Sequence, residues 1–175
     1  GFITERGQRV TMSSPKYASF NQVSYIAERY QCFENAIYSE DGYCPYDGKK
    51  FTEYIDLESF AKKYLVEELS KNFDASITSQ YIYKPESSVS DKFFAGPVWD
   101  YDKSLGIEEQ NRVGMDLKMP EGIHAGTQEK EYDIWYGLYQ QKEFKEEVYN
   151  IFEKELEWIV KKEIRYTIPE TAKKI

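Results

Sequence analysis

Residues 96–106 read Gly-Pro-Val-Trp-Asp-Tyr-Asp-Lys-Ser-Leu-Gly. The stretch opens with a turn dipeptide, continues as a short apolar strand and ends in a loop-like Ser-Leu-Gly. Side chains alternate faces along a strand, so residues two apart share one face about 6.6 Å apart. We therefore expect Asp100 and Asp102 to face a cleft, while Trp99 and Tyr101 pack into the core on the opposite side.

Two carboxylates on one rigid edge suit a hard cation such as Mg²⁺, which takes carboxylate, water and substrate phosphate as ligands. An isolated Asp-x-Asp is more often a solvated turn, and the same pattern occurs in metal-dependent glycosyltransferases. Taken alone, the pair therefore favours a solvated turn over a metal site, and it does not specify a reaction.

The composition limits the class of protein. The chain has 175 residues, a net charge of −8, and 16 Tyr, 10 Phe and 3 Trp, which fits one domain with a core, or part of a larger one, and excludes a disordered tail. The negative charge argues against a nucleic-acid partner, which favours a basic face. No apolar run approaches the roughly 18 residues of a membrane span.

The cysteines and the histidine give weak signals. Twelve positions separate Cys32 from Cys44, no histidine lies near them, and the spacing is not a zinc pattern. They could form one disulfide, but two unpaired thiols are favoured. His124, the single histidine, lies in a Gly-rich loop. It could serve as a metal ligand or base, but simple exposure is the favoured interpretation.

Two helices are predicted in the first half of the chain. Ser19, with Gln three residues later, forms a capping-box pattern, and apolar residues then recur at helical spacing as far as Tyr38. Asp56 caps a second helix that is expected to end near Lys71 and Asn72. A polar loop is expected between them, over residues 39–52.

The strand signals are short. Residues 2–4 and 9–12 look strand-like. Ile77 to Tyr83 alternates, and Lys92 to Trp99 follows after a polar turn, so a hairpin is predicted there.

The last third is predicted to be helical. Residues 134–139 form one short amphipathic segment, and residues 144–160 form a longer one with a Glu/Lys-rich outer face. A last short helix could start at Ile168. Residues 107–129 show no period and are expected to be a loop that is functional, mobile or wrapped across another element.

A helix followed by Asn-Phe-Asp, then by a hairpin whose second arm ends in Trp-Asp-Tyr-Asp, resembles the spore coat protein H (CotH) family of atypical, protein-kinase-like enzymes. The specific part is Gly-Pro-Val-Trp-Asp-Tyr-Asp at its distance from Asn-Phe-Asp. The resemblance covers nearly the whole chain. The segments that carry it are 54–61, 64–69, 72–74, 79–84 and 96–102, with weaker flanks at 1–4, 6–8 and 135–148.

The resemblance implies roles for four residues. Asp74 matches the catalytic-loop acid that orients or deprotonates the acceptor hydroxyl. Asp100 matches the metal-binding acid, and Asp102 supports the metal, the cofactor or the loop. Ser79 stands at the cofactor-binding position where kinases often carry an Asn that holds a second metal. Because a hydroxyl is a weaker ligand than an amide, this departure puts the second metal site in doubt. The implied cofactors are ATP and Mg²⁺ (or Mn²⁺).

The resemblance also implies an architecture. We expect an α+β, mainly helical fold, the C-terminal lobe of an atypical protein-kinase-like domain, with a small antiparallel hairpin carrying the acids. The sequence shows no Gly-rich loop over phosphates and no strand Lys followed by a helix Glu. Residues 1–175 are thus expected to be a single unit, the C-terminal portion of the domain without its nucleotide-covering lobe, and inactive alone.

The leading hypothesis is part of a kinase that transfers the ATP γ-phosphate to Ser or Thr of coat or surface proteins. The resemblance also implies a secreted, cell-surface or spore-coat setting. The alternative is a non-catalytic binding or scaffold module with a kinase-like fold, which the change at Ser79 mildly favours. A metal-dependent glycosyltransferase ranks behind both, because the sequence lacks an alternating βαβ pattern.

Overall fold

The computed structural model describes residues 1–76, 78–106, 121–126 and 130–174. About half of the chain is helical, with two small antiparallel hairpins, so the predicted α+β, mainly helical class is confirmed. The elements up to residue 151 are β1 (Phe2–Ile3), β2 (Arg9–Val10), α1 (Phe20–Tyr38), α2 (Phe51–Tyr54), α3 (Leu57–Ser70), β3 (Ile82–Tyr83), β4 (Phe94–Ala95), α4 (Ile134–Gln140) and α5 (Lys142–Ile151).

The helical path continues beyond α5. Two π-type turns, Phe152–Leu156 and Glu163–Thr167, flank α6 (Glu157–Lys162), and α7 (Ile168–Ala172) completes the path. The last predicted helix is therefore present. The apolar side chains of this C-terminal part remain largely exposed, in contrast to those of α5. Among the described residues, none of the helices combines the length and apolar character needed to cross a bilayer.

The helix starts follow the capping signals in the sequence. Ser19 accepts a hydrogen bond from the backbone N–H of Gln22, whose side chain accepts one from the backbone of Ser19. Asp56 accepts a 2.9 Å hydrogen bond from the backbone N–H of Ser59 and so caps α3. Both helices thus begin where predicted, because a short polar side chain satisfies N–H groups that the first turn leaves open.

An aromatic core holds the helices together. Phe60 on α3 lies 5.9 Å from Phe33 on α1 and 6.2 Å from Trp135 on α4, measured between ring centroids. Tyr64, one turn further along α3, meets Phe144 on α5 edge to face at 5.5 Å. Because one stripe of α3 contacts three other helices, α3 has the central place in the fold.

The segment that precedes α3 also fixes the second hairpin. The backbone N–H of Phe93 donates to the carbonyl of Tyr54, and that of Asp56 donates to the carbonyl of Phe93. The N–H of Ala95 then donates to the Ser59 hydroxyl at 3.2 Å. These contacts place the chain that leaves β4 next to α3.

The predicted hairpin exists but is shorter than expected. Ile82 pairs with Ala95 and Tyr83 with Phe94, whereas Ile77, the expected first strand residue, lies outside the described residues. The last hydrogen bond between the two arms runs from the Gly96 N–H to the carbonyl of Tyr81 at 2.8 Å. The ladder ends there because Gly96 has a φ of 126° and Pro97 has no N–H.

Two other elements differ from the predictions. Residues 51–54 form the short helix α2, which we expected to lie partly in a loop and partly before the second helix. Most of the expected long loop, residues 107–120 and 127–129, lies outside the described residues.

Replacing Phe60 by alanine tests the central position of α3. Phe60 is fully buried, so we expect Phe60→Ala to lower the free energy of unfolding by about 3–5 kcal/mol. Denaturant unfolding followed by circular dichroism measures this change. Phe20→Ala is the matched control, since Phe20 is 83% exposed, and it should change stability by less than about 0.5 kcal/mol. Equal losses in both variants would contradict the packing described.

Candidate active site

A buried carboxylate on α3 joins the two acidic segments of the sequence. Glu67 Oε1 lies 2.5 Å from the Lys63 ammonium and accepts a 2.7 Å hydrogen bond from the Tyr101 hydroxyl. The Tyr101 oxygen accepts a 2.7 Å hydrogen bond from Lys63. Glu67 Oε2 accepts a 2.9 Å hydrogen bond from the Asn72 side-chain amide. We call Lys63, Glu67, Asn72 and Tyr101 the Glu67 cluster.

The environment of the Glu67 cluster makes these contacts strong. The side chains of Lys63 and Glu67 are 4% and 3% exposed, and buried charges of this kind are costly unless paired and hydrogen-bonded. Burial, together with the neighbouring Glu67 carboxylate, raises the pKa of the Tyr101 hydroxyl. Tyr101 therefore keeps its proton and remains a donor to Glu67.

Asp74 lies two residues after Asn72, a member of the Glu67 cluster. It belongs to the 3₁₀ turn Phe73–Ser76, and its backbone N–H donates to Asn72 Oδ1 at 3.3 Å. The next residue in the turn, Ala75, accepts a 3.0 Å hydrogen bond from the buried indole of Trp135. The Asp74 side chain is largely buried, and its Oδ2 lies 3.5 Å from the Lys103 ammonium. Asp74 is thus fixed by its own loop and by α4, and it contacts the Asp-Tyr-Asp segment through Lys103.

Asp100 lies in an exposed, irregular segment, where it accepts a hydrogen bond from Ser79. The Ser79 hydroxyl donates a 2.8 Å hydrogen bond to Asp100 Oδ2. Both residues have left-handed backbone conformations, with φ of 55° and 65°. Such conformations cost on the order of 1–3 kcal/mol for residues other than glycine, and aspartate tolerates them better than most. The predicted metal acid and the residue at the expected Asn position are therefore in contact.

The rest of the Asp-Tyr-Asp segment is held against the end of α3. The Ser104 hydroxyl donates to the carbonyl of Tyr101 at 2.7 Å, and the Leu105 N–H donates to the carbonyl of Ser70 at 2.6 Å. Asp102 lies between these anchors with its side chain exposed. Tyr101 is thus the inward-facing residue of a loop whose two acids face solvent.

The strand geometry that we expected for this segment is wrong. Residues 96–100 are irregular, so Asp100 and Asp102 do not share a strand face. Trp99 is 59% exposed and contacts Tyr81 edge to face, at 6.4 Å between ring centroids, instead of entering the core. Tyr101 does point inward, through its hydroxyl. The reason is the break at Gly96, which ends the strand before the alternation reaches Trp99.

The structure brings the predicted site segments together without joining all the acids at one point. Asp74 is linked to the Asp-Tyr-Asp segment by Lys103, and Ser79 is linked to Asp100. Within the described part of the chain, Asp74, Asp100 and Asp102 do not form a group whose oxygens all lie within 4.8 Å. A cation that keeps water and phosphate ligands needs only one or two carboxylates, and both Asp100 and Asp102 are exposed.

His124 is buried, contrary to the exposure that we expected. Glu68 on α3 accepts hydrogen bonds from the backbone N–H groups of His124 and Ala125, at 2.8 and 2.5 Å. Lys71 pairs with the same carboxylate at 3.1 Å and also donates to the carbonyl of Gly122. Burial lowers the pKa of the His124 imidazole, and the Lys71 charge lowers it further, while Glu68 opposes them.

Two groups of residues were not predicted from the sequence. Lys63 and Glu67 are four residues apart on the same helical face as Phe60 and Tyr64, a spacing that could have marked them as buried. Cys32, Cys44 and Asp47 form the other group: their ligand atoms lie within 4.8 Å of one another. Both thiols are free, as favoured, but the carboxylate beside them was not anticipated.

The buried Lys63–Glu67 ion pair should contribute much more to stability than the exposed Lys62–Glu58 pair, although both have a four-residue spacing. Glu67→Gln leaves the Lys63 charge buried without its partner, so we expect a loss of about 3–5 kcal/mol in the free energy of unfolding. Glu58→Gln is the matched control, because the Lys62–Glu58 pair has the same four-residue spacing on an exposed face. Its loss should be about 0.3–0.5 kcal/mol. Chemical denaturation measures both, and similar losses would rule out the role given to Glu67.

Stability should depend on pH through His124. Its pKa is lower in the folded protein than the ordinary 6.5, so the unfolded chain binds this proton more readily. The stabilising contribution is therefore complete above about pH 6.5 and is lost as pH falls through the folded-state pKa. We expect His124→Gln to remove that part of the pH dependence, measured as unfolding free energy from pH 7.5 down to about pH 5. Parallel pH curves for the two proteins would contradict this prediction.

A protein-family model matches most of the chain. The family model described as CotH kinase protein matches residues 9–175 and so includes the Glu67 cluster, Asp74, Asp100 and Asp102. No curated protein and no solved structure matches the chain. Because the family model spans nearly the whole sequence, this chain belongs to the CotH kinase family.

Proposed function

We propose that residues 1–175 form the C-terminal portion of an atypical protein-kinase-like domain that transfers the γ-phosphate of ATP to Ser or Thr of a protein substrate. Membership of the CotH kinase family supports an atypical kinase-like function. The family name further suggests a spore coat, and we propose coat or surface proteins as substrates in a secreted, cell-surface or spore-coat setting.

One observation carries the proposal: Glu67 contacts both acidic segments at once. It accepts hydrogen bonds from Asn72, two residues before Asp74, and from Tyr101, between Asp100 and Asp102. A phosphoryl-transfer site needs one acid beside the acceptor hydroxyl and another beside the phosphates, each at a fixed position. A buried carboxylate bonded to both segments supplies that fixed relation.

In this proposal Asp74 is the catalytic residue. Its carboxylate would accept the hydrogen bond of the acceptor Ser or Thr hydroxyl, orient that oxygen toward the phosphate and take up its proton. The hydrogen bond from its own N–H to Asn72 and the Lys103 ammonium 3.5 Å from Oδ2 would hold the carboxylate in place.

Asp100 and Asp102 would hold the divalent cation, Mg²⁺ or Mn²⁺, with Ser79 beside them in the cofactor site. Such a cation would neutralise phosphate charge during transfer. Ser79 donates to Asp100 Oδ2, so its role in this chain would be to orient that carboxylate.

A non-catalytic binding or scaffold module is the second candidate. The observation that favours it is the hydrogen bond from Ser79 to Asp100, which occupies one oxygen of the proposed metal-binding carboxylate. Ser79 stands where kinases often have an Asn that binds a second metal ion. Such a module would bind nucleotide without transferring phosphate.

Phosphate transfer by the full-length protein tests the catalytic assignment. With ATP and Mg²⁺ or Mn²⁺, we expect Asp74→Asn and Asp100→Asn each to reduce the transfer rate by about 10²-fold or more. Glu170→Gln on the exposed helix α7 is the control and should leave the rate unchanged.

Folding of each variant is checked by thermal unfolding. Transfer that persists in folded Asp74→Asn would refute its catalytic role. Nucleotide binding without transfer in the unaltered protein, tested with added protein substrates, would establish the scaffold alternative instead.

A further inference from the structure

Cys32, Cys44 and Asp47 converge on one point although they come from two separate elements. Cys32 lies on α1, whereas Cys44 and Asp47 lie in the loop before α2. The two sulfurs and one carboxylate oxygen are all within 4.8 Å of one another. Cys44 is 1% exposed, Cys32 is half-buried and Asp47 reaches the surface. The group is therefore open to solvent on its carboxylate side.

The loop that carries two of these residues is closed by its own backbone. The Cys44 N–H donates to the carbonyl of Lys49 at 2.8 Å, and the Gly48 N–H donates to the carbonyl of Cys44 at 2.9 Å. Gly48 has a φ of 71°, which the tight turn requires. Cys44 and Asp47 therefore have a fixed separation, and their approach to Cys32 is set by the packing of the loop on α1.

The Asp47 carboxylate is oriented by its neighbours in a way that suits a ligand. Its Oδ1 accepts hydrogen bonds from the buried Tyr54 hydroxyl and from the Lys49 N–H. The contact made by Oδ2 is with the Lys49 ammonium at 3.5 Å, on a side chain that is 49% exposed and can turn toward water. These hydrogen bonds fix the carboxylate from outside the group, which is the kind of support that metal-bound side chains receive.

We propose that Cys32, Cys44 and Asp47 bind one thiophilic divalent cation of the Zn²⁺ class. Tetrahedral zinc with Zn–S bonds of about 2.3 Å places two sulfurs about 3.8 Å apart, and the two sulfurs here lie within 4.8 Å of each other. Water takes the fourth position, on the exposed side of Asp47. The cation would link the middle of α1 to the loop before α2.

Binding is a substitution of protons by metal and involves no change of oxidation state. Each S–H bond breaks, each sulfur binds the cation as a thiolate, and two protons pass to solvent.

Oxidation to a Cys32–Cys44 disulfide is the competing use of the two sulfurs. A disulfide needs the two thiols alone, whereas the structure adds an oriented carboxylate as a third ligand atom at the same point. That third ligand favours the cation, since oxygen and sulfur ligands together suit Zn²⁺.

Cobalt(II) as a spectroscopic substitute for zinc tests the proposal on the reduced protein. We expect one Co²⁺ per chain with thiolate-to-metal charge-transfer absorption and tetrahedral d–d bands, both abolished by Zn²⁺. Cys32→Ser and Cys44→Ser should each lose the charge-transfer signal. Asp47→Asn should weaken binding about 10-fold or more. The matched control is Asp41→Asn, because Asp41 accepts a backbone hydrogen bond two residues ahead, as Asp47 does, and it should bind Co²⁺ normally.

Thiol labelling of the unaltered protein gives a second readout that needs no variant. Zn²⁺ should slow alkylation of Cys32 and Cys44, and Mg²⁺, which prefers oxygen ligands, should not. Absence of a thiolate–cobalt band, or equal labelling rates with and without Zn²⁺, would overturn the proposal. Asp47→Asn that binds Co²⁺ as tightly as the unaltered protein would overturn the role of the carboxylate. A Cys32–Cys44 disulfide that forms in air with Zn²⁺ present would establish the competing use.

Discussion

The candidate site depends on the burial of one carboxylate. Glu67 is removed from water by the packing of α3 and is stabilised there by Lys63, Asn72 and Tyr101. A carboxylate in that position would be strongly unfavourable without its partners. Because the Glu67 carboxylate needs hydrogen bonds from Asn72 and Tyr101, it restricts the backbone positions of two otherwise irregular segments, one before Asp74 and one around Tyr101. Charge burial in the helical base thus fixes the loops that carry the acids.

The burial of Glu67 depends in turn on the packing of the aromatic core. Phe60 and Tyr64 pack α3 against three other helices, and this packing excludes water from Lys63 and Glu67 on the adjoining turns. The exposed residues of the site, Asp100 and Asp102, gain their positions indirectly. They flank a tyrosine whose hydroxyl reaches into the protein, so they remain accessible to solvent while the backbone between them is anchored.

Two ion pairs on α3 show why spacing alone does not reveal such a residue. Glu58 with Lys62 and Lys63 with Glu67 are both four residues apart, and in sequence they look alike as solvated helix pairs. The first lies on an exposed face and the second is almost completely buried. The difference comes from the neighbouring helices, which are distant in sequence and cover only one side of α3.

The sequence by itself determined the features that depend on near neighbours. Capping at Ser19 and Asp56 set the helix starts, alternation identified the hairpin, and the Asp-Tyr-Asp pattern indicated the family. Only the tertiary structure decided what is buried and what converges: the exposure of Trp99 after the strand ends at Gly96, the buried Glu67, and the meeting of Cys32, Cys44 and Asp47. Caps and turns arise within a few residues, whereas burial and convergence depend on elements that pack together from far apart in the chain.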